Sequence, residues 1–534
     1  MVVEVVRKDA AGVSARRRRT IDAWTAAVVL AAAMVMALLS LTLPVDHDEG
    51  QYVAAALATA RGLTPYADFV YLQTPLQPLL TAPIARLAGG SVVLALRLAN
   101  ALAGTAMLAL VFQLQRGMGV ERRRAAAATG LMGASYIFQF ACGVARNDAF
   151  AALAELMGLA AALAALDRGP KGAAGMALWS LAGLAMAAAV SLKISYALPL
   201  AAAGLFVLYG TWKRGLGWPA VAGFSLGAAA GVAPCLLALA MAPHAVLYDT
   251  LLYHASAPKA WYAAIGQTGR LGLLAKIPDT LLALAVGPAL EVLAVVLVIA
   301  VARRSQRAAA SLPRRLIEVL ALAGMAAALA PAPTQRQYFL PLLPYLFILW
   351  GLGETGLARP LPWRSALNAA VMVGAVIGAG RLAYLTGDCA LRLARGELPP
   401  VLALEANARW VGARLKAAGA AGRIATPSPQ AVASSGQDLD PRLAAGPFFY
   451  RTGDLTSDAD QARLRALSPR TLAAGLDAGP PAAIVVGLEG KAGLNGRSAD
   501  DDFRAYAQSR RWRRETSPDG MLEVYVRPAA TASR

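Results

Sequence analysis

The chain has 534 residues, 57% of them hydrophobic, with a mean hydropathy of +0.50 and a formal net charge of +19. Uncharged runs of about 20 residues, each able to cross ~30 Å of hydrocarbon as a helix, recur from residue 22 to 385. This excludes a soluble globular protein, and the Ala, Leu, Val and Gly content of the runs points to helices, which satisfy their own backbone in lipid.

The positive charge is not the mark of a nucleic-acid partner. Basic residues crowd the short turns between runs: RGMGVERRR (116–124), DRGPKG (167–172), WKRG (212–215), RRSQR (303–307) and PRR (313–315). They lack the interleaved aromatics of a nucleic-acid surface and follow the positive-inside pattern, so they report orientation.

Residues 1–21 read as a basic cytoplasmic N-terminus ending in Arg16–Arg19. The run Ala23 to Leu43 is too long for a signal-peptide core and lacks a small-residue cleavage site, so it reads as a retained anchor. It carries the chain out to a long outer loop, 44–90. Within that loop PLQPLLTAPIARLAG (75–89) is short and proline-punctuated, and counting it as a span would put RGMGVERRR outside. It is expected to lie along the outer interface.

Further spans are expected near 92–114, 124–142, 149–166, 173–190, 194–211, 217–241, 279–302, 315–330, 337–355 and 365–385, about eleven in all. The odd count puts the C-terminus outside. A second outer loop, 242–278, carries Tyr248, Tyr253, Trp261 and Tyr262, which suit the headgroup zone.

The membrane domain is thus expected over 22–386. Beyond it, over 387–534, strand-like runs at 423–428, 482–488 and 522–528 and a helix-like run at 408–422 predict a small extracytoplasmic (periplasmic) α/β domain. Cys142, Cys235 and Cys389 are too scattered for a disulfide framework or a thiol metal site, and no repeat of solenoid length is present.

One stretch concentrates chemistry. DHDEGQY (46–52) places Asp46, Asp48 and Glu49 just past the first span. Asp48 and Gln51 have the spacing of a capping box, and acids suit a helix start through the macrodipole. Capping alone does not account for three acids, nor for the continuation LTPYADFVYLQTPLQPLL.

An acidic group after the first span, then Asp-Glu-x-x-Tyr (48–52), Pro-Tyr-x-Asp-Phe (65–69) and Pro-Leu-x-x-Leu-Leu (75–80) resembles the first outer loop of GT-C type glycosyltransferases. The likeness is to the bacterial branch with protein O-mannosyltransferases and aminoarabinose lipid A transferases. Arg146 and Asp148, SLKISYALPL (191–200) and RQYFLPLLPYLFILWG (336–351) continue it, over roughly the first 390 residues.

The resemblance implies an inverting transfer of a sugar from a polyprenyl-phosphate donor to an acceptor hydroxyl of a glycan, lipid or protein. It makes Asp48 the general base. It gives substrate-contacting roles to Asp46, Glu49, Tyr52, Tyr66, Asp68, Gln73, Arg146, Asp148, Lys193, His254, Arg336 and Tyr338. A phosphate leaving group asks for cations, and Lys193 and Arg336 are preferred over Lys259, Arg270 and Lys276, which read as snorkelling residues.

Some relatives bind a divalent metal between a carboxylate and a loop histidine. Here Gln73 stands where the carboxylate is wanted, and a neutral amide with His254 makes a poor metal site, so a divalent metal is open but not favoured and no other cofactor is assigned. Glu155 and Glu291 fall within spans, where an acid calls for either a function or an inter-helix hydrogen bond. The competing reading, a transporter or flippase of a lipid-linked saccharide, predicts mid-membrane ionisable groups and two related halves. The Ala- and Arg-rich usage suggests a bacterial inner membrane.

Overall fold

A computed structural model describes residues 23–168, 172–306, 310–354, 357–359, 361, 363–420 and 422–528. The basic N-terminus (1–21) and parts of the turns at 167–172 and 303–307 lie outside the described residues.

The expected spans become helices in register with their apolar runs. The first apolar run is α1 (Ala23–Thr42), and the loop expected outside, 44–90, folds into α2 (Glu49–Ala60) and α3 (Leu76–Leu87). Then follow α4 (Val92–Gly117), α5 (Arg122–Ala134), α6 (Tyr136–Gly143), α7 (Asp148–Arg168), α8 (Ala173–Leu192), α9 (Ala197–Arg214), α10 (Trp218–Gly231) and α11 (Ala233–Met241). The second loop expected outside, 242–278, is itself helical, with α12 (Pro243–Leu247), a π-turn at Tyr248–Leu252 and α13 (Tyr253–Ala264). After it come α14 (Lys276–Ala285), α15 (Ala289–Ser305), α16 (Leu312–Leu329), α17 (Leu343–Leu352) and α18 (Arg364–Ala394).

Among the described residues six helices are long and apolar enough to cross a membrane, and up to nine spans result if each bent pair counts as one. The bends are physical. Ser135 breaks α5 from α6 at 66°, and α14 turns through 103° into α15 at a segment containing Gly287 and Pro288. The other two expected spans are α16, which carries Arg314, Arg315 and Glu318 in its first turns, and α17, which has 10 residues. At 12 residues α3 is also too short to cross.

The tightest crossing joins α8 to α10. Gly223, Gly227 and Gly231 recur every fourth residue on α10 and face the backbone of Met176, Ser180 and Leu184 on α8, while Gly183 of α8 faces Phe224 and Ala228 in return. A Cβ at Gly227 would collide with the Ser180 carbonyl, and one at Gly183 with that of Phe224. Small residues at this spacing let two backbones touch where lipid offers no hydrophobic drive.

The last span runs past the expected boundary at 386 to Ala394, and the C-terminal unit opens with α19 (Pro400–Ala417). Its sheet is formed by β1 (Arg423–Ala425), β2 (Asp438–Leu439), β3 (Ala483–Val486), β4 (Arg513–Thr516) and β5 (Glu523–Val526), in the order β2-β1-β3-β5-β4. The β1 strand lies parallel to β2 and β3, and β5 antiparallel to β3 and β4. The three strands expected from the sequence are β1, β3 and β5, which are apolar. β2 has two residues and β4 reads Arg-Arg-Glu-Thr, so neither shows a hydrophobic run.

This unit is welded to the first outer loop. Val401, Leu404 and Val411 of α19 share one core with Val53 and Leu57 of α2 and Val92, Val93 and Leu96 of α4. The start of α4 is capped from outside its own helix: Ser434 Oγ accepts from Val92 N at 2.9 Å, and Glu405 Oε1 from Leu94 N at 3.1 Å. Gly50 lies so close to Gln430 that a Cβ there would meet its amide oxygen.

Candidate active site

The acidic stretch folds by dividing its carboxylates between frame and cavity. Asp48 precedes α2 but makes no capping bond to it. The capping box lies earlier: Asp46 Oδ1 accepts from Asp48 N, and Glu49 Oε2 reaches back to Asp46 N, both at 2.9 Å. This corrects the expected Asp48/Gln51 box. Because Asp46 and Glu49 hold the turn, the Asp48 side chain is left for other partners.

Glu49 is also corrected as a substrate contact. It is fully enclosed, in a bidentate pair with Arg97 at 2.8 and 2.6 Å, and its Oε1 further accepts from Ala145 N at 2.7 Å. Arg97 spends its remaining N–H groups on the carbonyls of Ser40, Leu43 and Pro44, at 3.1, 2.9 and 3.0 Å. Tyr66 and Asp68 do not line the cavity described below. Tyr66 holds a left-handed φ of 66° and donates its hydroxyl to the Gln73 carbonyl, while Asp68 accepts from Thr64 N at 2.9 Å and pairs with Arg465 at 2.7 Å.

Asp48 instead meets Arg146, from the turn between α6 and α7. The Arg146 guanidinium bonds Asp48 Oδ2 through Nη1, lies 3.3 Å from Asp46 Oδ1, and donates from Nε to Asp148 Oδ2 at 3.0 Å. Lys193 closes the chain on the other oxygen of Asp148. His47 Nε2 stands 3.1 Å from Asp48 Oδ1, and its ring stacks on Phe448 of the C-terminal unit at 5.4 Å. Burial works against charge at Asp48, but Arg146 and then His47 outweigh it and hold the carboxyl below its ordinary range. Asp46 goes the other way: burial raises it, Arg146 opposes, and the neighbouring charges of Asp48 and Glu49 raise it further. One acid is kept ionised and its neighbour is biased towards the proton.

These groups floor a cavity of about 720 Å³. Of the residues singled out from sequence, Asp46, Asp48, Tyr52, Gln73, Arg146, Lys193, His254, Arg336 and Tyr338 line it, and Asp148 stands behind Arg146 and Lys193. His254 Nε2 lies 2.7 Å from the Leu72 carbonyl, Asn147 donates to Gln73 Oε1 at 3.2 Å, and Lys193 sits 5.4 Å over the Tyr338 ring. Lys193 and Arg146 are already matched by carboxylates. Arg336 lies on the rings of Tyr136 and Phe140, with no ion pair recorded for it among the described residues. Of the cations read as snorkelling, Arg270 reaches the cavity, whereas Lys276 bonds the Leu329 carbonyl and Lys259 does not line it.

Two features escaped the sequence. Phe448, Arg451, Thr452 and Lys491 of the C-terminal unit form part of the wall. Arg451 is 6% exposed and paired with Glu489, whose carboxyl burial pushes up to about 7. Asp249, in the π-turn, accepts from Tyr71 N at 3.0 Å and ties the two outer loops together. Burial raises its carboxyl well above the ordinary range. In the membrane part, Glu155 takes the hydrogen-bonding role, accepting from the Tyr345 hydroxyl at 2.7 Å.

The group with metal-ligand spacing among the described residues is Asp46, His47 and Asp48, with donor atoms within 4.8 Å of one another. Its fit to a divalent ion is poor, because Arg146 Nη1 already takes the position facing both carboxylates, and a cation there would have to displace it.

No family model matches the chain, and no curated protein matches it. Solved structures do. ArnT from Cupriavidus metallidurans, crystallised with undecaprenyl phosphate, overlays with a TM-score of 0.59 at 18% identity, over 95% of this chain and 98% of its own. The apo crystal structure of the same protein gives 0.53 at 16% identity, over 94% and 97%. At such identities the likeness is one of fold. The GT-C type fold is present, and it extends beyond the first 390 residues to include the C-terminal unit.

Proposed function

We propose that the chain is an inverting glycosyltransferase of the membrane's outer face, moving a sugar from a polyprenyl-phosphate carrier to an acceptor hydroxyl. The observation that carries this reading is Asp48: a carboxylate kept ionised by Arg146 on the floor of a cavity large enough for a sugar. The shared fold adds support, since the ArnT crystal structure holds undecaprenyl phosphate.

In this reading the acceptor oxygen attacks the anomeric carbon as the bond to the phosphate oxygen breaks. An alcohol is a weak nucleophile, and Asp48 takes its proton during attack. The polyprenyl phosphate leaves as a stable anion and needs cations rather than an acid, with Arg336 the best placed. Asp46, Tyr52, Gln73, His254 and Tyr338 contact the sugar. Arg146, Asp148 and Lys193 are positioning residues that act through Asp48. The eleven-span topology, with N-terminus inside and C-terminal unit outside, belongs to the same proposal, as does the bacterial inner membrane. Glycan, lipid and protein acceptors all fit the chemistry.

The test is transfer from defined polyprenyl-phosphate sugars by purified protein. Asp48→Asn should lower it by about 10²–10⁴-fold. Transfer at the original rate removes Asp48 as the base, and no transfer by the unmodified protein from any such donor removes the enzyme reading. A flippase would be indifferent to this assay.

A further inference from the structure

Arg381 lies inside α18, one of the helices apolar enough to cross a membrane, and an arginine there calls for a reason. No carboxylate partner is recorded for it among the described residues. Its surroundings begin at the break between α5 and α6. The Ser135 bend leaves carbonyls at the end of α5 without helical partners, and two other segments crowd the same point. A Cβ at Gly287 or at Gly378 would collide with the Ala134 carbonyl. The buried Gln139 side chain serves this junction. Its Nε2 donates to the carbonyls of Gly133 and Ala134, each at 3.3 Å, and to that of Gly378 at 3.5 Å. The amide is thereby fixed with Oε1 turned the other way, where it accepts from Arg381 Nη1 at 2.7 Å.

So pinned, Arg381 stacks on the Tyr136 ring, 3.9 Å from its centroid. Arg336 lies over the same ring at 4.6 Å and reaches Phe140 at 5.2 Å. Arg336 lines the Asp48 cavity, which Arg381 does not. Two guanidiniums on one ring repel each other, and the acid whose charge reaches Arg336 is Asp46, itself biased towards the proton. An anion at Arg336 relieves that repulsion, and a doubly charged anion relieves it more.

Glycosyl transfer supplies such a change of charge. The donor phosphate is a diester with one negative charge. When the anomeric C–O bond breaks, its electron pair stays on the phosphate oxygen, and the product is a monoester carrying two. The acceptor's proton goes to Asp48, so none reaches the phosphate.

We propose that Arg381 is a positioning residue for the leaving phosphate, acting through Tyr136 and Arg336 to make the cavity favour the phosphomonoester over the diester. It acts most as the second charge develops. The assignment rests on the glycosyl-transfer reading for its place in the reaction, but the charge preference is a binding property and needs no transfer.

The experiment is equilibrium binding to the full-length protein in phosphatidylcholine nanodiscs. The probes are a short-chain polyprenyl phosphate and its unreactive methyl diester, at about pH 8, where the monoester carries two charges. The unmodified protein should hold the monoester about tenfold more tightly. Arg381→Gln should bring the probes within about threefold by weakening the monoester alone, and Arg381→Lys, which keeps the charge, should preserve the gap. Arg381→Leu, suited to lipid, gives the same reading should the Gln variant not fold. In transfer assays Arg381→Gln should lower kcat about tenfold and leave KM for the donor within about twofold. No gap in the unmodified protein, a gap that survives the neutral variants, equal weakening of both probes, or a Lys variant that behaves like the Gln one overturns the proposal. So does displacement of the monoester by phosphatidylglycerol, which would make the site one for bulk lipid headgroups. The transfer reading stands in each of those cases. A gap that closes in the neutral variants, with no transfer from any donor, removes the enzyme reading alone.

Discussion

Two carboxylate–arginine pairs begin one residue apart and end in opposite conditions. Glu49 and Arg97 are both fully enclosed, and every guanidinium N–H has a named acceptor. Asp48 and Arg146 face a cavity, with the Asp48 side chain 20% exposed. The first pair has no capacity left for a ligand and fixes the join between α1, α2, α4 and the turn at Ala145. The second keeps a carboxylate charged on the wall of an open cavity. Neighbouring acids of the same motif can therefore sit in separate settings, and exposure of the carboxylate, not of its arginine, distinguishes them.

The comparison breaks most sharply at Arg97. Arg97→Met leaves Glu49 charged and enclosed without its partner, and should destabilise the fold by about 3–5 kcal/mol in thermal or denaturant unfolding in detergent. Adding Glu49→Leu should recover much of that, because an apolar pair removes both desolvation costs. If the single variant unfolds like the parent, the pair is not the strut described here.

At the open pair the expected effect on stability is smaller. Arg146→Gln should cost roughly 1–3 kcal/mol, since water in the cavity can solvate the acids left behind. Its sharper signature is in pH. Arg146 holds Asp48 below the ordinary carboxylate range, so the base form persists as pH falls to that depressed value, while the stability it contributes is full above the ordinary carboxylate value and is lost as pH falls from there through the depressed one. Without Arg146, burial dominates and the acid limb of the transfer rate should move to higher pH. An unmoved limb would detach Arg146 from the base.

The smallest effect is expected at the cap of α4. Ser434→Ala removes the acceptor for Val92 N and should cost about 1 kcal/mol, read as a small fall in melting temperature.

The membrane helices were legible because apolar length is a strong, local signal, and each expected span has a helix or helix pair behind it. Their bends were not, since Ser135 and Gly287 act through packing that no single run reveals. The Gly223, Gly227, Gly231 repeat could have disclosed the α8–α10 crossing, and its spacing is the signal to look for. Asp48 and Arg146 were within reach through motif resemblance. Glu49, Tyr66 and Asp68 were drawn in by the same motif, which cannot separate residues that build a loop from residues that face its cavity. Arg451 and Lys491 gave no local sign, because their role follows from a fold that returns distant chain to the first outer loop. β4 stayed hidden for the opposite reason: as an edge strand it is charged on both faces.

The capping of α4 by Ser434 also sets a clock. Val92 gains its acceptor from a residue 342 positions later, so at roughly 5–20 residues per second the ribosome needs about 17–70 s to supply it. During that interval the membrane helices insert while the loop bearing Asp48 lacks the surface of α19 and the Gln430 turn against which it is set. A half-made chain thus carries the acids with Arg97 and Arg146 in hand but without the outer support that α19 and the Gln430 turn later supply.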